Sequence, residues 1–166
     1  HVPPTLVSFA VTTGKANEVV SPEFKAAGHK VIVLKPEYDE NGLPETESLL
    51  AIFAKVTELF RTGKAVAGYT PGIGGIAEAV MKMCFGNSIG FKFAEDVTVE
   101  ELFGYSYGSF VLEVTEDIEG RILGETTEEK SLVLGEEKLC LCEMLNIYEG
   151  KLESVFACNI PNSNSP

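Results

Sequence analysis

The chain has 166 residues, of which 45% are hydrophobic and 9% aromatic, a composition typical of one globular domain with its own core. A formal charge of −12 argues against a nucleic-acid-binding surface or a surface for anionic membranes, because both need clustered Lys and Arg. No apolar run approaches the roughly 20 residues that span a bilayer, and no signal segment is evident, so a soluble cytoplasmic protein is expected.

The first half of the chain predicts strands and helices in alternation. Residues 5–12 are rich in β-branched and apolar side chains and predict a first strand, and residues 29–34 predict a second. Residues 45–62 place a row of large apolar side chains on one helical face, with Gly63 just beyond, and predict the clearest helix. Residues 64–69 predict a buried strand that runs into a glycine-rich turn.

The second half continues the pattern with shorter elements. A helical stripe from Ile76 to Cys84 is followed by a predicted strand over residues 89–93. Thr98 and Glu101 have the spacing of a capping box, which predicts a short helix ending near Phe103. Further strands are predicted over residues 110–115, 121–124, 131–134 and 138–141, before a last helix whose apolar residues run from 145 to 156. This order predicts a mixed α/β fold.

The junction between the strand at residues 64–69 and the helix that follows is the strongest candidate site. The run Tyr69-Thr70-Pro71-Gly72-Ile73-Gly74-Gly75 precedes a helix whose first N–H groups lack intrahelical partners, and such amides bind anions. We therefore predict that Gly72, Gly74, Gly75 and Thr70 bind phosphate or a nucleotide, with Tyr69 as a further hydrogen-bonding candidate. Close packing of strand and helix explains the same glycines equally well. Neither a P-loop Lys-Ser or Lys-Thr nor the Rossmann spacing is present.

The cysteines and histidines give no sign of metal binding. The four cysteines form no C-x-x-C pair, and the two histidines lack metal-ligand spacing, so no metal site is predicted. The cysteines are expected to be reduced and mostly buried, because Cys140 and Cys142 would lie on the same side of a strand, where disulfides are poorly formed. His29 has no evident Ser, Cys or Asp partner and is predicted to be a surface or capping residue. No catalytic residue is assigned.

Several of these blocks, taken together, resemble the C-terminal domain of the aminoimidazole ribonucleotide synthetase superfamily. They are the glycine turn with its helix, residues 102–114, and residues 121–127 with the strand pair and the helix of residues 143–156. Residues 3–9 and 80–87 look most like the phosphoribosylformylglycinamidine synthase family. The resemblance implies an α/β (α+β) fold with a mixed, mostly antiparallel sheet packed with helices. It covers residues 1–158, with a linker or tail at 159–166, in a piece excised from a longer multidomain enzyme.

The resemblance also implies a function. That family is an ATP- and glutamine-dependent ligase of purine biosynthesis, which converts formylglycinamide ribonucleotide to the amidine with ATP and Mg²⁺. The implied partners are a phosphorylated small molecule, an N-terminal-type domain of the same superfamily and a glutaminase domain. Where relatives place His-Asp before the turn, this chain has Tyr69-Thr70, and the positions inside the turn are Gly72 and Ile73, so no titratable group remains inside it. The turn is therefore expected to contribute only backbone amides to a phosphate. The chain by itself is expected to be inactive, because the resemblance places most of the ATP site in the N-terminal-type domain.

Two alternatives stay open from the sequence. The domain could be a non-catalytic scaffold whose β-rich N-terminal segment makes interdomain or dimer contacts. It could also be the equivalent domain of aminoimidazole ribonucleotide synthetase, selenophosphate synthetase or thiamine monophosphate kinase.

Overall fold

A seven-stranded sheet is the central element of the computed structural model, which describes residues 4–155. Its strands in chain order are β1 (Lys30–Leu34), β2 (Ala65–Tyr69), β3 (Gly90–Phe93), β4 (Phe110–Val114), β5 (Arg121–Thr127), β6 (Ser131–Leu134) and β7 (Glu137–Cys140). Across the sheet they lie in the order β2-β4-β1-β5-β3-β6-β7. In this order β2 and β7 form the two edges. Every neighbouring pair is antiparallel except β3 and β6, which are parallel.

Helices cover both faces of the sheet. The helices are α1 (Thr46–Arg61), α2 (Gly75–Phe85), α3 (Val99–Phe103) and α4 (Leu141–Gly150). On one face, Val56 and Leu59 of α1 pack against Ile32, Leu112 and Val114. On the other face, α2, α3 and Leu141 of α4 bury a larger core, whose strand residues are Val31, Val33, Ala67, Phe91, Phe93, Val111 and Leu123. Alternate residues of the central strands therefore face opposite cores, as a sheet covered on both sides requires.

The predicted fold class is confirmed, since a mostly antiparallel sheet packs against helices. The strands and helices predicted between residues 29 and 141 form close to the predicted bounds. The strand predicted over residues 5–12 is wrong: no strand forms there, and Leu6, Val7, Phe9 and Val11 are exposed. A strand needs a hydrogen-bonded neighbour, and its local β-propensity does not supply one.

The end of the described chain differs from the prediction. The last helix begins at Leu141 and ends at Gly150, a residue with low helix propensity. Because β7 changes into α4 between Cys140 and Cys142, the two lie 5.4 Å apart between Cα atoms and form a disulfide. The prediction that both are reduced is thus wrong, since it placed them on one strand. Cys84 is free and buried, as predicted, and Cys158 lies outside the described residues.

A fork of ion pairs ties α3 to the sheet. Thr98 caps α3 by accepting a hydrogen bond from the Glu101 amide, as the capping-box spacing predicts. The Glu101 carboxylate instead accepts two hydrogen bonds of 2.9 Å from Arg121 on β5. Arg121 also donates to the Asp96 carboxylate at 2.6 Å. These charge-assisted bonds lower the pKa of both carboxyl groups below their ordinary values.

This fork predicts a pH-dependent contribution to stability. A lowered folded-state pKa stabilises the fold above the carboxyl group's ordinary pKa, and that stabilisation is lost as the pH falls through the lowered value. We expect Arg121→Ala to lower the melting temperature by a few degrees at pH 7, and the difference from wild type to shrink steadily below about pH 4. Thermal unfolding across a pH series measures it. Lys138→Ala, which removes an exposed pair with Glu129, is the control and should change little. A pH-independent difference for Arg121→Ala would contradict the assignment.

Within residues 4–155, none of the helices combines the length and the apolar character that crossing a membrane requires.

Candidate functional site

A cavity of about 440 Å³ opens where β2 runs into α2. Its lining residues come from α1, from α2, from the strands β2 and β4, and from the turn between β2 and α2: Phe60, Gly68, Tyr69, Thr70, Gly72, Ile73, Glu78, Lys82 and Phe110. Phe60 and Phe110 pack with the α1 core, whereas Glu78 and Lys82 lie on α2 on the opposite face. The cavity therefore curves around the outer edge of β2, and we call it the β2-edge groove.

The first turn of α2 is already occupied by an anion of the chain itself. The Gly74 amide donates a 2.9 Å hydrogen bond to Oε2 of Glu78, one helical turn further along. The Gly75 amide donates to the Gly72 carbonyl at 3.1 Å, which closes the turn. A carboxylate at the N-terminus of a helix is stabilised by unpaired amides and the helix dipole, as a phosphate would be. Glu78 thus fills the place that the sequence assigns to a ligand.

Glu78 also holds a cation in the β2-edge groove. Its Oε1 lies 2.6 Å from Nζ of Lys82, one turn further along α2. This hydrogen bond, together with that from the Gly74 amide, lowers the pKa of Glu78, and the same carboxylate raises the pKa of Lys82 to about 12. The Lys82 ammonium also lies 5.9 Å from the Tyr69 ring centroid and 5.5 Å from that of Tyr148. Both groups are therefore charged near neutral pH.

The structure separates the four predicted phosphate-binding residues into two groups. Thr70 and Gly72 line the β2-edge groove, and Tyr69 lies beside them. Gly74 and Gly75 do not line it, although the Gly74 amide faces the Glu78 carboxylate. Gly75 has φ +66°, and a Cβ atom there would lie 2.4 Å from the Leu102 carbonyl oxygen. Gly75 thus has a packing role, at the close approach of α2 to α3. Phosphate binding by these residues stays a prediction.

The sequence interpretation overlooked the charged pair, because it looked for titratable groups only inside the turn. The signal was available: Gly74, Glu78 and Lys82 are spaced four residues apart, which places them on one face of a helix. The contacts of Glu78 argue against a magnesium site at this turn. Mg²⁺ prefers several oxygen ligands, and the Glu78 carboxylate is committed to Lys82 and the Gly74 amide. The residues of the turn do not fit a metal ion.

A second polar cluster lies away from the groove and was also not predicted. Glu113 on β4 is fully buried, and its carboxylate accepts hydrogen bonds from the backbone amides of Lys25 and Ala26 at 2.8 and 3.2 Å. Nδ1 of His29 lies 2.6 Å from the same carboxylate. The three partners precede β1 along the chain, so Glu113 fixes this segment against the sheet. His29 therefore has a carboxylate partner that sequence spacing did not reveal.

Comparison with solved structures assigns the chain the fold of a segment within a longer enzyme chain. That enzyme is phosphoribosylformylglycinamidine synthase II from Thermotoga maritima, matched with a TM-score of 0.63 over 91% of this chain and 30% of that chain, at 11% identity. T. maritima PurL complexed with FGAR matches with a TM-score of 0.64 over 78% of this chain and 30% of that one, at 10% identity. The complex with ADP matches with a TM-score of 0.62 over 91% and 29%, at 13% identity.

The chain thus spans less than a third of the length of these structures. No family model matches it. The resemblance inferred from the sequence motifs is confirmed at the level of the fold, because the same enzyme emerges from a comparison in which few residues are identical.

Proposed function

We propose that this chain is a domain of a phosphoribosylformylglycinamidine synthase, the ATP- and glutamine-dependent ligase that converts formylglycinamide ribonucleotide to the amidine. The observation that carries the proposal is the fold shared with the T. maritima enzyme over 91% of the chain. The order of sequence blocks around the glycine turn points to the same enzyme independently. Residues 1–158 would form the C-terminal-type domain, followed by a linker or tail at 159–166, within a cytoplasmic protein.

In this proposal the β2-edge groove is one wall of a phosphate or nucleotide site that an N-terminal-type domain completes. Thr70, Gly72 and the Gly74 amide face the ligand, and Lys82 supplies the positive charge. A phosphate displaces the Glu78 carboxylate from the Gly74 amide and takes its place beside Lys82. The exchange replaces one anion by another, so it needs no new donor.

The domain has an auxiliary role rather than a catalytic one. A general acid or base works best with a pKa near the operating pH. Glu78 has a lowered pKa and Lys82 one of about 12, so neither is poised to exchange a proton near neutral pH. In the complete enzyme Mg²⁺ would enter with the nucleotide, on ligands outside this turn, and a glutaminase domain would supply ammonia. We therefore expect no ATP turnover from residues 1–166 alone, and detectable turnover would contradict the auxiliary role.

The proposed phosphate site is tested by removing the charge of the Glu78 carboxylate, which competes with a phosphate for the Gly74 amide. We expect Glu78→Gln to bind ADP about tenfold more tightly than wild type, because the substitution removes a negative charge beside the phosphate site. A tenfold change corresponds to about 1.4 kcal/mol of binding free energy. Isothermal titration calorimetry with ADP measures it. The control is Glu116→Gln, which removes an exposed glutamate also paired with a lysine, Lys64, and should leave affinity unchanged. Adding Gly74→Val to Glu78→Gln should abolish the gain. Equal ADP affinity in wild type, Glu78→Gln and Glu116→Gln would overturn the site.

A further inference from the structure

An exposed apolar segment precedes the folded body of the chain. Residues 6–12, which we call the N-terminal arm, form neither helix nor strand, and the side chains of Leu6, Val7, Phe9 and Val11 are 77–96% exposed. Residues 4–14 contain no charged side chain, in a chain whose formal charge is −12. An isolated exposed leucine is ordinary, but a contiguous apolar stretch of high β-propensity marks an interaction segment.

The outer edge of β2 is uncharged and, within residues 4–155, unpaired, and so matches the apolar N-terminal arm. Among the described strands, β2 pairs only with β4, so its other side presents unpaired N–H and C=O groups. No residue of β2 is charged. The opposite edge strand, β7, carries Glu137 and Lys138, and charged residues on an edge oppose strand addition. The β2 edge lacks that protection.

The β2-edge groove gives an added strand a place for its side chains. It curves around this edge and has apolar walls from Phe60 and Phe110 beside the backbone of Gly68. Its volume of about 440 Å³ leaves room for large apolar side chains. An extended segment docked here would pair its backbone with β2 and bury alternate side chains in the groove, as in β-strand addition.

The arm leaves the body close to this groove. Asn17, Glu18 and Val20, just after the arm, line a small cavity together with Phe60 and Arg61. Phe60 also lines the β2-edge groove. Nη2 of Arg61 lies 3.7 Å from Oε2 of Glu18. At about 3.3 Å per residue, the arm spans roughly 23 Å when extended, and the five residues of β2 span roughly 17 Å. The arm is long enough to cover the whole edge.

We propose that the arm of one copy of this chain adds as a strand to β2 of a second copy, and that the second copy returns the contact. Arm and edge are present in the same chain, so the interaction is self-complementary and closes as a two-fold dimer. Each copy pairs its open edge and buries Val7, Phe9 and Val11, which share one face of an extended segment. The proposal does not rest on the proposed function, but it places the arm in the same β2-edge groove, so arm and nucleotide would compete for this site.

The test is the oligomeric state of the chain and of arm variants in analytical ultracentrifugation. We expect wild type to be a dimer at tens of micromolar, and Phe9→Glu combined with Val7→Glu to weaken self-association at least tenfold. Both side chains are exposed in the structure, so the variant keeps its fold. Ile147→Glu on α4, where the side chain is 74% exposed, is the matched control and should remain dimeric. A monomeric wild type, or a dimer unaffected by the arm variant, would overturn the proposal.

Hydrogen exchange provides a second readout. The amides on the open side of β2 should exchange slowly in wild type and quickly in the arm variant, with β1 unchanged. Slow hydrogen exchange of these amides in a monomeric wild type would mean that the arm docks on its own chain. That result would also overturn the proposal that the arm adds to a second copy.

Discussion

Replacing Gly75 with alanine is expected to lower the free energy of unfolding by about 3 kcal/mol or more. Gly75 has φ +66°, a conformation that costs an L-residue about 1–2 kcal/mol. The added Cβ would also lie 2.4 Å from the Leu102 carbonyl oxygen, which is backbone and cannot rotate away. Relieving that overlap requires α2 and α3 to separate, at a further cost of about 1–3 kcal/mol. Urea denaturation of both proteins measures the difference.

Gly63→Ala is the control that measures the cost of a positive φ alone, without a steric overlap. Gly63 has φ +72°, but a Cβ atom there would meet nothing within 4 Å. Its substitution should therefore cost only about 1–2 kcal/mol. If the two variants lose the same stability, Gly75 is not required for the approach of α2 to α3, and its packing role is refuted. The comparison bears on function too, because a glycine needed for packing does not by itself indicate a phosphate.

Replacing Glu113 with alanine is expected to cost about 3–5 kcal/mol of stability. The change leaves the amides of Lys25 and Ala26 without their acceptor and removes the partner of His29, at a carboxylate that is itself fully buried. It also leaves a cavity at a fully buried position. Urea denaturation again provides the measurement, and Glu113→Gln, which keeps an acceptor oxygen, should lose less.

The neighbouring acidic residue Glu116 serves as a control for the loss of a negative charge. Its side chain is 50% exposed and pairs with Lys64 at the surface. Glu116→Ala should change stability by no more than about 1 kcal/mol, as exposed ion pairs usually do. A similar loss in Glu113→Ala and Glu116→Ala would show that the three hydrogen bonds of Glu113 do not anchor the segment before β1.

Glu113 also illustrates what a sequence interpretation cannot supply. The strand at residues 110–115 was predicted from apolar alternation, yet whether Glu113 faces solvent or a core depends on which elements cover each face. His29, 84 residues away, becomes its partner only because β1 and β4 are neighbours in the sheet. Sequence spacing carries no trace of such a pair, so His29 was interpreted as a surface or capping residue.

The errors at the two ends of the described chain have a common cause. The residues predicted as a first strand have strong local propensity, but a strand is completed only by hydrogen bonds to a neighbour. The disulfide between Cys140 and Cys142 depends on where β7 gives way to α4, which was predicted within a few residues but not at the right residue. Boundaries and edge pairing are decided by tertiary contacts.

The sequence by itself determined the order of the central strands and helices, the mixed α/β class and the glycine turn before α2. These follow from apolar periodicity, capping residues and glycine, which act within a few residues of one another. Only the tertiary structure decided that β2 is an edge strand, that Gly75 packs against α3, and that the Glu113 carboxylate meets His29. Each of these depends on which surfaces meet, and that is fixed by burial of the whole apolar surface rather than by local preference.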